Sequence, residues 1–564
     1  MNDFNHNKSK SMNDLFSIIF LLLLSFVALY PVWKIDGWPG NHDGMHLFDR
    51  VAAFHFEFQK GNFFPLWTSY GQNGYGSAFP FLYHRFFNTL AALLAFPLGS
   101  IYLGVKLAIP ILLFTGGVGM YKLISKIGLN YQYALCASLL FIFSNYTISN
   151  WLIRGAVAEL TAMIFIPWLL YYCIQLLLNK NTGIKIGLVL SCMFYSHIVI
   201  CYYAFFIVIT FYSIFLFENN RYLKLKNYFP ILVTFFVVIL FCSIYAIGII
   251  NYKKIYSFSV LVQESLNPLN NFPLFERYLI NTRYIWGKSS IGVTAEIGRV
   301  FNLLSILFTT STIFLLFFKK ISFNNIENKR NIYFASLICI FIYIFLQTPF
   351  SALFYENIPG ANFIQFPWRL LSFSTVLSIF SFCMSIFILT YNSKTKWLKN
   401  ISFTSLILSS IYQVIFGLSI PINYEIMNRR YIENYLLKEN LIFSEQPSEY
   451  LPNNKKLPLR AKALIEYNND CKLVNEHPEG ITKKVFDASE IEIIVEGKCQ
   501  IIYNQFINPF TKISFSSSGV IESSKDRTYI LTSNSELNRI SIKRIGLFFS
   551  LINFFNDKEN IYKK

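Results

Sequence analysis

Four short stretches set ionisable side chains beside apolar ones at spacings that suit chemistry on an anion. GWPGNHDGMHLFDR (37–50) carries His42, Asp43, His46 and Asp49; IRGAVAEL carries Arg154 and Glu159; FYSHIV carries His197; IQFPWRLL carries Gln365 and Arg369. Arginine recognises phosphate through a planar, permanently charged fork, and a nearby carboxylate can take a proton from an attacking hydroxyl. Each residue also has a plainer role open to it. Asp43 can be only the N-cap of a following helix, and Glu159 can complement the dipole of a helix that starts there. Arg369 can snorkel beside Trp368, and His197 can be a satisfied turn histidine.

The elements that must position these groups are apolar. At 54% hydrophobic and only 14% charged residues, with a mean hydropathy of +0.43, the chain belongs with polytopic α-helical membrane proteins. Runs long enough for a core of about 30 Å fall near 15–33, 104–122, 131–149, 160–178, 184–197, 198–217, 228–250, 299–318, 331–349, 367–391 and 400–421, which predicts about eleven transmembrane helices. The first is followed by no small-residue cleavage site and reads as an anchor. The net charge of +18 reports topology and not a nucleic-acid partner, because the lysines and arginines sit in alternate short loops. Lys8 and Lys10, Lys122 and Lys126, Lys180 and Lys185, Arg221 to Lys226, Lys319 to Arg330, and Lys394 to Lys399 then mark the cytoplasmic side, with the N-terminus. Residues 34–103, 150–159, the turn at 197, 251–298, 350–366 and the tail from 422 share the outer side.

Within the transmembrane region 1–421, the outer loop 34–103 contains MHLFDRVAAFHFEFQKG. Its polar stripe of His46, Asp49, Arg50, Glu57 and Lys60 opposes Leu47, Phe48, Val51, Phe54 and Phe58, which predicts an amphipathic helix lying on the outer leaflet. From 422 to 544 the pattern changes to alternating runs such as EIEIIVEGKCQIIY and TKISFSSSGVIES, the period of half-buried strands in a small extracytoplasmic β domain. Cys471 and Cys499 are its two cysteines, and an oxidising compartment would allow them either to pair or to stay free. Residues 545–564 hold a short apolar segment, GLFFSLINFF, and a basic tail.

All the ionisable candidates fall on the outer side of a topology set by lysines elsewhere. Charged groups at membrane depth are costly and tend to line a cavity or a substrate path, so a polar chamber opening outward is expected. There is no GxxxxGK[ST], HExxH, CxxC or GxSxG pattern, which argues against soluble nucleotide-sugar chemistry. A transporter or flippase for a lipid-linked glycan would use the same arginines, but it normally shows repeated halves and helices broken at mid-membrane. A non-catalytic envelope assembly factor would need no polar chamber.

HDGMHLFDR, GNFFPLWTSYGQNGYGSAFPFLY, RGAVAEL, QFPWRLL and SEYLP together give a resemblance over most of the chain. The chain resembles the multi-spanning bacterial family labelled 6-pyruvoyl-tetrahydropterin-synthase-related membrane proteins, whose members look like GT-C glycosyltransferases. The resemblance implies a site on the outer face of the bacterial cytoplasmic membrane, a polyprenyl-phosphate sugar as donor, and a glycan or other acceptor. It makes Asp43 the candidate catalytic base and sets Arg369 on the donor phosphate. His42, His46, Arg154, Glu159, His197 and Gln365 then become substrate-binding or tuning residues, with His46 orienting Asp43. The glycines and aromatics from Tyr70 to Tyr83 would offer a sugar-stacking surface. No adjacent acidic pair follows the first helix, so no metal ligand is assigned and a divalent cofactor is not indicated.

Overall fold

The computed structural model describes residues 2–41, 43–178, 180–252, 264–272, 299–317, 327–392, 396–420, 426–437, 465–467, 472–473, 490–524, 528–534 and 537–556. They divide into two units. The first draws on residues 1–44, 106–241 and 264–428, the second on 45–105, 242–263 and 429–564.

The first unit is helical. Each expected apolar run carries helix, but not every helix is long enough to span. Among the described residues six are long and apolar enough: Ile101–Lys126, Val157–Leu177, Ile198–Phe217, Leu225–Tyr252, Pro367–Thr390 and Asn400–Ser419. Two broken pairs, Tyr131–Ile142 with Asn145–Ile153 (bent by 42°) and Lys329–Phe345 with Pro349–Asn357 (bent by 90°), raise the number to eight. By length and composition the described residues therefore supply six to eight of the roughly eleven spans expected. Gly183–Ser196, at 14 residues, is apolar but shorter, and at a rise of about 1.5 Å per residue a helix of fewer than about 18 residues cannot cross a core of about 30 Å unaided. The helices Asn2–Val27 and Arg299–Phe317 run to 26 and 19 residues.

Val157–Leu177 and Pro367–Thr390 lie at the centre of this unit, with most of their apolar windows buried. Polar residues mark the helix starts. Asn130 accepts from the backbone N–H of Tyr133 at 3.2 Å, Ser144 from Thr147 at 3.2 Å, and the His197 imidazole from Ile200 at 3.3 Å, each occupying a donor that the first helical turn leaves unpaired. A short antiparallel pair, Gly37–Pro39 against Ile426–Asn428, ties the segment after the first helix to the start of the tail. Gly37 permits it, since a Cβ there would lie 2.2 Å from the Met427 carbonyl oxygen.

The second unit combines the helix Gly44–Gln59, the helix Phe86–Leu98 and two four-stranded antiparallel sheets. One sheet has the order Ile465–Tyr467, Cys499–Phe506, Thr528–Ser533, Gly519–Ser523. The other has the order Lys472–Leu473, Glu490–Glu496, Leu537–Arg544, Thr511–Phe515. Alternate residues are buried as the period-two pattern predicts: Ile491, Ile493 and Val495 on one strand, Ile540 and Ile542 on its neighbour. Cys499 is disulfide-bonded, and Cys471 lies outside the described residues. GLFFSLINFF is the helix Leu547–Asn556, which buries Leu547, Ser550 and Leu551 and exposes Phe548, Phe549 and Ile552.

The helix Gly44–Gln59 forms as expected, but it does not lie on a surface. Three members of its polar stripe, Asp49, Arg50 and Glu57, are buried inside the protein, while His46 and Lys60 at its two ends are partly exposed. Glu57 is satisfied by Lys60 and Asn62, both at 3.0 Å, and Arg50 donates to the Tyr83 hydroxyl at 3.0 Å. A polar stripe can bury itself against partners as well as face water, and the amphipathic period does not distinguish the two.

Candidate active site

The site is assembled where three helix ends of the first unit meet. Ser144 starts a short helix, Asn145–Ile148, that passes into a π-turn at Ser149–Ile153, closed by the Arg154 N–H donating to the Ser149 carbonyl at 2.9 Å. Turns of this wide type are uncommon and often mark functional positions. Gly155 follows with φ +69°, a conformation glycine adopts without strain. The close approach here also excludes a side chain, because a Cβ would lie 2.8 Å from Asn41 Oδ1 and 3.0 Å from Asp43 Cβ. Asp43 is held against this corner by its own N–H, which donates to the Arg154 carbonyl at 3.3 Å. Asn41 adds a bond to the Leu152 carbonyl at 3.0 Å.

Glu159, in the first turn of Val157–Leu177, is the hub. It is almost fully buried, and Arg154 Nη2 meets its Oε2 at 2.9 Å, while Arg369 Nε lies 3.6 Å from the same oxygen. Oε1 accepts from the Tyr146 hydroxyl and from Ser372 Oγ at 3.4 Å. Arg154 also donates to Asn150 Oδ1 and stacks its guanidinium over Trp368, 4.5 Å from the ring centroid. Arg369 arrives on the turn Pro367–Leu370, whose proline suits a first helical position. Just before it, Gln365 has φ +61°, an uncommon conformation for a residue with a side chain and one that collects at functional sites.

These groups form two layers. Tyr146, Asn150, Arg154 and Glu159 are buried and largely saturate one another. Asp43, Gln365, Trp368 and Arg369 are each partly exposed. A buried layer of paired charges thus fixes a second, accessible layer that bears a carboxylate, an amide, an indole and a guanidinium. His197 stands at the turn between Gly183–Ser196 and Ile198–Phe217. Burial first, and then the positive charges of Arg369 and Arg154, push its imidazole well below the ordinary range, so it is neutral near pH 7.

Among the predicted site residues, Asp43, Arg154, Glu159 and Arg369 come together, and His197 feels the charge of both arginines. His46 instead has Asp49 as its partner, with Nδ1 3.4 Å from Oδ2. His42 lies outside the described residues. Of the aromatics proposed as a sugar platform, Tyr70, Tyr75, Phe79 and Phe81 are buried and Tyr83 is partly exposed; Tyr75 stacks on Phe506 with its carbonyl accepting from the Phe506 N–H at 2.8 Å. Tyr146, Asn150 and Ser372 were not anticipated. Among the described residues no group of three or more His, Cys, Asp or Glu side chains could hold a metal ion.

No family model matches the chain, and no curated protein matches it. Two solved structures of the oligosaccharyltransferase of Archaeoglobus fulgidus align with it, one in the apo form and one, AglB, in complex with an inhibitory peptide and a dolichol-phosphate. Each aligns at 12% identity with a TM-score of 0.44, over 78% of this chain and 61% of the other. The chain therefore spans about three fifths of the length of those structures.

Proposed function

We propose that the chain is a membrane glycosyltransferase of the GT-C type, moving a sugar from a polyprenyl-phosphate donor to a hydroxyl of a glycan acceptor on the outer face of a bacterial cytoplasmic membrane. The resemblance carried by RGAVAEL and QFPWRLL points the same way, and the two-layered cluster supports the reading best. Two arginines share one carboxylate, so this trio keeps a single net positive charge. One positive charge suits the single negative charge of a phosphodiester better than a diphosphate. The partly exposed Arg369 contacts that phosphate through its fork, while Glu159 and Arg154 hold Arg369 in place. Asp43 accepts the proton of the acceptor hydroxyl. The acceptor oxygen bonds to the anomeric carbon, the bond from that carbon to the phosphate oxygen breaks, and polyprenyl phosphate leaves with its added charge facing Arg369.

The test is purified full-length protein in liposomes with synthetic polyprenyl-phosphate sugars, polyprenyl-diphosphate sugars and a glycan acceptor. Release of polyprenyl phosphate that depends on both the monophosphate donor and the acceptor is expected. Movement of intact donor across the bilayer without release would replace the enzyme by a transporter, and turnover of the diphosphate donor alone would overturn the charge assignment.

A further inference from the structure

At the far ends of the helices that carry Glu159 and His197, lysines gather on an aromatic floor. Trp168 donates its indole N–H to the Thr115 carbonyl at 3.0 Å, which fixes the ring against the helix Ile101–Lys126. Gly119 makes room for it, because a Cβ there would sit 2.7 Å from Trp168 Nε1. Lys122 lies over the face of that ring, 5.2 Å from a centroid. Trp168 stacks on Tyr172 at 6.3 Å, and Lys185 lies over Tyr172 at 5.6 Å. Thr182 donates to the Tyr172 carbonyl at 3.0 Å, and the Lys180 N–H to the Gln175 carbonyl at 3.0 Å, so the loop bearing Lys180 is tied to the same helix end. Lys126 and Lys180 are close enough to repel one another. Among the described residues none of these four lysines forms an ion pair, and the nearby Asp14 is engaged by the Tyr121 hydroxyl at 2.6 Å.

We propose that Lys122, Lys126, Lys180 and Lys185 form a binding site for the headgroup of one anionic phospholipid, with Trp168 and Tyr172 as its floor. Like charges held together on a fixed surface are relieved by an anion placed among them, and a basic recess between helix ends in a membrane selects acidic lipid headgroups. Tryptophan and tyrosine favour the depth at which a headgroup lies. The lipid's acyl chains need no protein pocket, since these helices expose Ile184 and Leu188 on their outer surface. The site is independent of glycosyl transfer and sits on helix ends that the reaction does not use.

The experiment reconstitutes the full chain in vesicles of three parts phosphatidylcholine to one part phosphatidylglycerol. It then releases the protein and counts retained lipids by native mass spectrometry. Retained phosphatidylglycerol is expected to exceed its share of the vesicle, and the preference to fall about fivefold for each lysine changed to glutamine. Changing all four to arginine should keep it, and Lys224→Gln with Lys226→Gln should leave it unchanged. Added glycerol phosphate should not compete, which separates a lipid from a soluble phosphate ester. A photo-crosslinking phosphatidylglycerol applied to the unaltered protein should label peptides within 115–126 and 168–185, a readout that does not depend on a variant folding. Retention in the vesicle's own proportions, an equal loss in the Lys224 and Lys226 control, or labels spread evenly over the basic loops would overturn the proposal.

Discussion

The helical unit carries charge at both ends of its helices and treats it differently. At the start of Val157–Leu177, charge is buried and mutually held: Arg154, Glu159 and Arg369 converge on one carboxylate oxygen, with Tyr146, Asn150 and Ser372 completing the bonds. About 30 Å along the same helix, charge is spread out. Lys122, Lys180 and Lys185 are exposed, Lys329 reaches back to the Ile127 carbonyl and over Phe387, and Arg221 pairs with Glu218 at 3.0 Å within its own turn. Exposed lysines at helix ends cost little and set topology. Buried charges are costly unless each is paired and hydrogen-bonded, so a chain that maintains such a cluster at one end is expected to use it there.

The sharpest break in this comparison is Asp43→Asn. Asparagine caps a helix about as well as aspartate, so thermal stability should not change, yet it cannot accept the acceptor's proton. Sugar transfer should fall by a factor of roughly 100 to 10,000 with donor binding intact. Near-wild-type transfer in a stably folded variant would remove Asp43 from the mechanism and leave the site end with a purely structural role.

Glu159→Gln attacks the buried layer. It leaves two guanidinium groups facing each other without their shared carboxylate, and removing one partner of a buried ion pair costs about 3–5 kcal/mol. Denaturation in detergent should show that loss, whereas Glu218→Gln at the lysine end, where the pair is only partly buried, should cost about 1 kcal/mol or less. Equal losses at the two ends would show that burial does not distinguish them.

How far the sequence reaches follows the same division. Alternating lysines lead to the expectation that Asp43, Arg154, Glu159, His197 and Arg369 share one side, and these five separated positions do converge electrostatically. Their uncharged partners were invisible, because Tyr146, Asn150 and Ser372 sit in apolar runs where a tyrosine or serine reads as ordinary core. The π-turn that aims Arg154 has no pattern of its own. In the β region, Glu490–Glu496 and Cys499–Phe506 followed from alternation alone. The helix Phe86–Leu98 was missed inside a long loop, and Gly44–Gln59 was assigned to a leaflet because period reports two faces but not what covers them.

Arg369→Lys is a smaller perturbation. A lysine keeps the charge but loses the fork that grips two oxygens and the plane that faces Phe366 at 5.2 Å. Charge-assisted bonds contribute about 1.5–3 kcal/mol each, so donor affinity should fall roughly 10- to 100-fold, read as an increased Kd for the polyprenyl-phosphate sugar. At the other end Lys185→Arg should leave that Kd unchanged. An unaltered donor Kd in Arg369→Lys would return this arginine to the bland role of a residue snorkelling at a helix end.

The gentlest discriminator is pH, because lysines do not titrate near neutrality whereas the site end contains His197. Its imidazole is held neutral by burial and by Arg369 and Arg154. Above about pH 6.5 the imidazole is neutral in both folded and unfolded chains and makes no difference to stability. Below that value the unfolded chain takes up a proton that the folded site refuses, so stability should decline as pH falls, by at most about 1.4 kcal/mol per pH unit, until the folded site itself is protonated. His197→Asn keeps a side-chain acceptor for the Ile200 N–H but removes the titration, so its unfolding midpoint should vary less between about pH 6.5 and 5 than that of the unaltered protein. Identical pH slopes would mean that neither burial nor the two arginines hold the imidazole neutral, and the cluster would then end at Glu159 and not extend to the turn that His197 caps.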